Sequence, residues 1–318
     1  MSEVEDVNPF KNVAPNLRRR FFKDKIMFGV TGFSLILILL PILGILFQVF
    51  YNGIIGFTFE VFTEAGGSPL NPHTGLQHAM MGTFYVSLIA SFIGIPLGIL
   101  VGIYLEYYGK GFFADILRVG IDSMVAIPTI ITGIVVFTLV VLSMGSFSIL
   151  AGGIALAFIM IPIIAKTTEE MLRLVPSIYD EAGYALGLSE SKTATSIVIP
   201  LASKGIASGV LLAFARIVGE TAPLLFTAFF SQSVPENILD VSATLTVLIY
   251  QYGISPFEAW NRLAWVAAFL LMLLNLSVIF ITRIFFGTKH SHTEPSIRKR
   301  LKQLILKSTQ EEKGGKGE

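Results

Sequence analysis

Hydrophobic positions in this chain cluster into long runs separated by short polar segments rich in turn residues. The runs cover residues 26–50, 80–105, 123–165, 205–230 and 263–282. None shows the short polar alternation of a half-buried strand, and each is long enough for helix. About 20 apolar residues at about 1.5 Å each cross the roughly 30 Å of bilayer hydrocarbon. The run 123–165 is too long for one crossing, and the turn-like Ser143-Met144-Gly145-Ser146 divides it into two joined by a very short loop. The pattern therefore predicts an all-helical membrane protein with six transmembrane helices. The first run is too long for a signal peptide and has no small-residue cleavage site after it, so it is read as a retained helix. Pro223 falls inside the fifth run and is expected to kink it.

Composition agrees: of 318 residues 53% are hydrophobic and 14% charged, where a soluble domain carries about 25% charged residues. The chain divides into a tail 1–25, a membrane-spanning body 26–286 and a tail 287–318. The small net charge hides an asymmetry. The N-terminal tail, the loops 106–122 and 166–204, and the segment that follows the last run at 282 hold 21 of the 23 Lys and Arg residues. The positive-inside rule then places both termini and the 166–204 loop in the cytoplasm of a multi-pass cell-membrane protein. A seventh crossing within 238–254 would reverse the basic C-terminal tail, so that stretch is expected to be a short external or half-inserted helix. The basic run 298–302 suits anionic lipid better than nucleic acid, and 311–318 has the composition of a disordered end. Without cysteine there is no disulfide and no thiolate metal site.

The 166–204 loop carries the densest helix signals. Ser177 followed by Asp180 has the spacing of a capping box, Pro176 favours a helix start, and Gly187 suits its C-terminal stop. A helix over 177–187 is expected, then a second short one from Ser189 that ends before Pro200. By these signals alone the first helix either lies on the membrane surface or docks a partner.

The spacing within the loop favours docking. Glu181-Ala182-Gly183, then Gly187, then Ile197-Val198-Ile199-Pro200 resembles the EAA motif of ABC importer permeases, with Gly for the second Ala and Ile for Leu. In that family the segment is the coupling helix that seats in the ATP-binding subunit. The resemblance implies docking roles for Tyr179, Asp180, Glu181, Ala182, Gly183, Ala185, Leu186 and Gly187. Ala215-Arg216-Ile217-Val218-Gly219-Glu220-Thr221-Ala222-Pro223 and Ser255-Pro256-Phe257-Glu258-Ala259-Trp260 look like signatures of the PstA-type permeases of phosphate importers. So do Gly82-Thr83 and Ile95-Pro96-Leu97-Gly98-Ile99; the resemblance runs from about Gly66 to Phe286. It implies the type I (MetI-like) permease fold, a homologous PstC-type permease, two ATP-binding subunits and an external phosphate-binding protein. ATP and Mg2+ would be used by the ATPase and no cofactor bound by this chain; the transported ligand would be phosphate.

Arg216 and Glu220 are charges inside the fifth run, spaced to share one helical face. A charge at mid-bilayer costs at least about 2.5–3.5 kcal/mol. The pair either cancels its own cost as a structural staple or lines a pathway with Thr221 and Pro223, the guanidinium offering planar donors to an oxyanion. Asp122 and Lys166 read as interfacial anchors, Trp260 and Trp265 as belt residues, and His73, His78, His290 and His292 form no recognisable metal pattern. No Walker A sequence occurs, so hydrolysis of ATP needs another subunit, and no nucleophile motif suggests an enzyme. Two other readings are a permease for sulfate, molybdate or tungstate, and an ion-coupled secondary transporter. The latter expects carboxylates in several spans.

Overall fold

A computed structural model describes residues 14–70 and 74–286. The described residues form helices and connecting coil, with no strand among them. In order these are α1 (Ala14–Gly56), α2 (Glu60–Thr63), α3 (Gln77–Tyr107), α4 (Phe112–Ala126), α5 (Thr129–Val136), α6 (Leu142–Met144), α7 (Ile149–Arg173), α8 (Ile178–Ala185), α9 (Glu190–Thr193), α10 (Ile199–Val218), α11 (Leu245–Gly253) and α12 (Glu258–Phe286). The expected basic run 298–302 and the end 311–318 lie outside the described residues.

Five helical stretches are long and apolar enough to cross a membrane, and α4 with α5–α6 makes a sixth bent by 105°. The bend follows from Pro128, which has no N–H and drives Ile127 to an extended ψ of 132°. Residues 123–126 therefore belong to α4, and the expected third crossing is broken at 127–128. Gly145, at φ 75°, ends α6, and the Ser148 hydroxyl accepts from the Ala151 N–H to start α7. The division expected at 143–146 is present; the 106–122 loop is instead mostly helix. Five of the eight residues 18–25 are Arg or Lys, good helix formers, and none is Gly or Pro, so α1 also takes in part of the expected N-terminal tail.

The bundle is built on α3 against α7. Gly94, Gly98 and Gly102 recur at every fourth position of α3, and Met160, Ile164 and Thr168 of α7 lie over them. A Cβ on Gly98 would stand 2.7 Å from Ile164 Cβ. Small residues let the backbones close, which matters where lipid supplies no hydrophobic drive between helices. Val86, Ala90, Leu156, Met160, Ala213 and Ile217 fill the resulting core. At the end of the bundle that carries α8, Arg118 ties three helices together, pairing with Glu169 at 3.0 Å and donating to the Leu105 and Gly109 carbonyls. Lys166 and Asp122 pair with each other at 2.7 Å across α7 and α4, so they act as a strut instead of separate anchors.

By contrast α1 is exposed throughout 33–48 and packs along α12 only near its end, where Gly53 lies under Phe269 and Gly56 under Arg262 and Val266. Trp260 is not a belt residue. It stacks on Tyr252 at 4.8 Å and donates to the Gly67 carbonyl at 3.2 Å.

Candidate functional site

The expected cytoplasmic helix forms as α8. Gly187 has φ 79°, and the Leu188 N–H reaches the Gly183 carbonyl at 3.1 Å while the Gly187 N–H reaches Tyr184 at 2.9 Å. This is the glycine-dependent Schellman stop. The capping box does not form: Ser177 is in helical φ/ψ and its side chain caps nothing. Asp180 instead turns inward, its Oδ1 buried without a hydrogen-bond partner. It faces a 450 Å³ cleft also lined by Glu106, Lys110, Arg173, Tyr184 and Glu190.

Gly183 is likewise buried, and a Cβ there would stand 2.6 Å from both Thr193 Oγ1 and Cγ2. The outward face of α8 is left to Ile178, Tyr179, Glu181, Ala182, Ala185, Leu186 and Gly187, all exposed. Of the eight residues expected to dock, six face outward, while Gly183 and Asp180 face the permease body.

The second short helix does not stop before Pro200. It runs unbroken from Glu190 to Val218, 29 residues. A π-turn over Ala194–Val198 widens the ladder just before Pro200, which lacks an N–H to continue a regular one. Thus α8 sits on the foot of a helix about 42 Å long. Leu172, Val198, Ala202 and Ile206 pack beneath it with Ile99 and Ile103 of α3.

Arg216 occupies the last turn of that helix and Glu220 lies just beyond its end. Gly209 packs on Thr167, beside Lys166 of the Asp122–Lys166 strut. Arg216 is about 10 Å farther along the helix from there, inside the stretch apolar enough to cross a membrane. Its side chain is 50% exposed and that of Glu220 17%, with 3.9 Å from Nε to Oε1. The pair is formed within the chain yet long enough to leave the guanidinium donors free.

Glu220, Thr221 and Pro223 are not helical. The fifth run was expected to be helix to 230 with a kink at Pro223, but Gly219 ends it and the chain continues irregularly to Thr244, broken only by a 3-10 turn at Leu224–Phe226. Pro223 lies on Gly133, where a Cβ would meet its Cα at 2.6 Å. The Glu220 carbonyl accepts from Thr246 Oγ1 at 2.9 Å, and the Leu245 N–H donates to Thr83 Oγ1 at 2.8 Å. The nine-residue α11 therefore starts level with Glu220, tied to the chain end of α10 and to α3.

Residues 94–287 match the family described as "Binding-protein-dependent transport system inner membrane component". The chain is 42% identical over 267 residues to the phosphate transport system permease protein PstA of Haemophilus influenzae, covering 84% of this chain and 94% of that one. It is 39% identical to the protein of that name from Yersinia pestis (84% and 91%). A probable one from Methanocaldococcus jannaschii is 35% identical (81% and 92%). The chain belongs to the PstA family of binding-protein-dependent transport permeases. Its fold is also that of two solved permease chains. An amino acid ABC transporter superposes with TM-score 0.51 at 16% identity, over 65% of this chain and 90% of that one. The MetNI methionine ABC transporter gives 0.50 at 19% identity, over 66% and 94%.

In this permease both candidate sites lie within the matched region. Sequence reasoning missed Phe229, the only non-glycine residue of positive φ (64°) among those described. Its ring stacks on Phe147 at 4.7 Å. No motif marks it; an aromatic in an apolar run reads as helix.

Proposed function

We propose that the chain is the membrane-spanning subunit of an ATP-driven phosphate importer and works by alternating access. The carrying observation is mechanical: an exposed helix bearing Glu181 rests on the foot of one continuous helix whose far end holds Arg216 at membrane depth. Closure of two ATP-binding subunits on ATP and Mg2+ would push α8, and the Glu190–Val218 helix would carry that displacement inward as a lever. Glu181, with Ile178, Ala182, Ala185 and Leu186, would seat in the ATPase.

Arg216 would meet phosphate with planar, charge-assisted donors. Glu220, 3.9 Å away, would compete for them and keep the anion from being trapped. Coil at membrane depth is tolerated only when buried in protein or lining a water-filled cavity. The 219–244 segment and the half-exposed Arg216 therefore favour a partner permease of PstC type across this face, with the pathway between. An external phosphate-binding protein would deliver the ion, and charge asymmetry orients both termini to the cytoplasm.

The test is radiolabelled phosphate uptake in cells lacking this chain, complemented with wild type or with Glu181→Arg. Uptake that ignores excess sulfate and molybdate and is lost in Glu181→Arg is expected. Competition by either anion would change the substrate. Full uptake by Glu181→Arg would refute the docking role of α8.

A further inference from the structure

At the end of the bundle opposite α8, the end of α1 and the start of α12 enclose a 550 Å³ groove. Asn52 and Gly56 line it from α1, and Glu258, Asn261, Arg262 and Trp265 from α12. Arg262 and Arg283 stand about 31 Å apart along α12, the thickness of the hydrocarbon. With Arg283 at the opposite face, Arg262 is at headgroup level, and Trp265, 36% exposed, lies where indoles anchor.

Glu258 and Arg262 are one helical turn apart, yet among the described residues they pair neither with each other nor with a third group. The Asn261 amide is committed, donating to the Ser255 and Phe257 carbonyls at 2.6 and 3.1 Å. Two opposite uncommitted charges thus face one cavity at the depth of lipid headgroups. Below it the exposed rings of Phe47 and Phe50 continue along α1 toward mid-membrane, a seam suited to acyl chains.

We propose that this groove is a binding site for the headgroup of an amine-bearing zwitterionic phospholipid. Arg262 takes the phosphate as a fork of donors, and Glu258 accepts from the ammonium. A free phosphate dianion is a poorer occupant, because Glu258 repels it from the same cavity. The bound lipid bridges α1 and α12 at the one place where α1 is attached, so it steadies an otherwise peripheral helix.

The full chain, extracted in mild detergent, would be given equal amounts of phosphatidylethanolamine and phosphatidylcholine and weighed by native mass spectrometry. Charge-assisted hydrogen bonds of about 1.5–3 kcal/mol predict a preference of roughly tenfold or more for phosphatidylethanolamine. Glu258→Gln should abolish that preference while phospholipid is still retained; Arg262→Gln should lose retention of both. A second measurement leaves the groove's side chains intact. In a Trp260→Phe background, brominated phosphatidylethanolamine should quench Trp265 at a lower mole fraction than brominated phosphatidylcholine. Equal retention and equal quenching by the two lipids would overturn the proposal. Release of lipid by millimolar inorganic phosphate would also overturn it and make the groove an anion site.

Discussion

Gly183 offers the most direct test of how α8 is seated. An added Cβ would lie 2.6 Å from Thr193 Oγ1 and Cγ2 and 3.1 Å from Thr193 Cβ. Thr193 is fully buried and β-branched, so its side chain cannot swing aside. Gly183→Ala gains about 1 kcal/mol of helix propensity and loses about 1–3 kcal/mol to overpacking, a net change of about zero to 2 kcal/mol against the fold. Thr193→Ala removes both clashing atoms and leaves only the 3.1 Å contact, which a small shift absorbs. That second change is cheap, because Thr193 Oγ1 is buried without a hydrogen-bond partner. The Gly183→Ala, Thr193→Ala double variant should therefore be more stable than Gly183→Ala and at least match wild type, with a coupling energy of about 0.5–3 kcal/mol. Thermal unfolding of the detergent-extracted chain measures the order, and phosphate uptake measures whether the displaced α8 still transmits. If Gly183→Ala alone unfolds above wild type, or Thr193→Ala fails to rescue it, α8 is not packed on α9 as described.

Three further outcomes follow from the membrane half. Arg216→Gln and Glu220→Gln should assemble normally and transport slowly; uptake at the wild-type rate in both would remove the pair from the pathway. Gly133→Ala drives a methyl into the backbone of Pro223, with no side chain free to yield. It should cost about 1–3 kcal/mol and lower the unfolding midpoint, whereas Gly120→Ala, where nothing lies within 4 Å, should not. At Phe229, φ 64° penalises any residue with a Cβ by about 1–2 kcal/mol, so Phe229→Gly should be more stable than Phe229→Ala although both lose the stack on Phe147. Equal midpoints for those two variants would count against the left-handed backbone there.

What could be read from the sequence depended on whether a residue acts locally. Gly187 was legible as a stop because only glycine enters φ 79° without cost. The outward set Glu181, Ala182, Ala185 and Leu186 was legible from motif spacing. That Asp180 and Gly183 face inward was not legible, because what they face, the interior cleft and Thr193, comes from other segments. The Ile127–Pro128 bend was hidden for another reason: an apolar run records solvent and not direction.

The largest miss is also the most informative. Residues 219–230 are nearly all apolar or small and read as the continuation of a span, yet they are irregular apart from a 3-10 turn at Leu224–Phe226 and pack on α5 and α7, with the Ser148 N–H donating to the Thr227 carbonyl at 3.0 Å. Apolarity there reports burial in protein, which a hydropathy pattern cannot tell from burial in lipid. Lipid-exposed coil would leave backbone N–H and C=O groups unpaired at several kcal/mol each. The break at Gly219 therefore requires protein or water around the carbons and carbonyls that follow it. It falls between Arg216 and Glu220, the two charges that impose the same requirement. Two independent costs, one of backbone and one of charge, coincide where α10 ends, and the proposed polar route between this chain and a partner would relieve both.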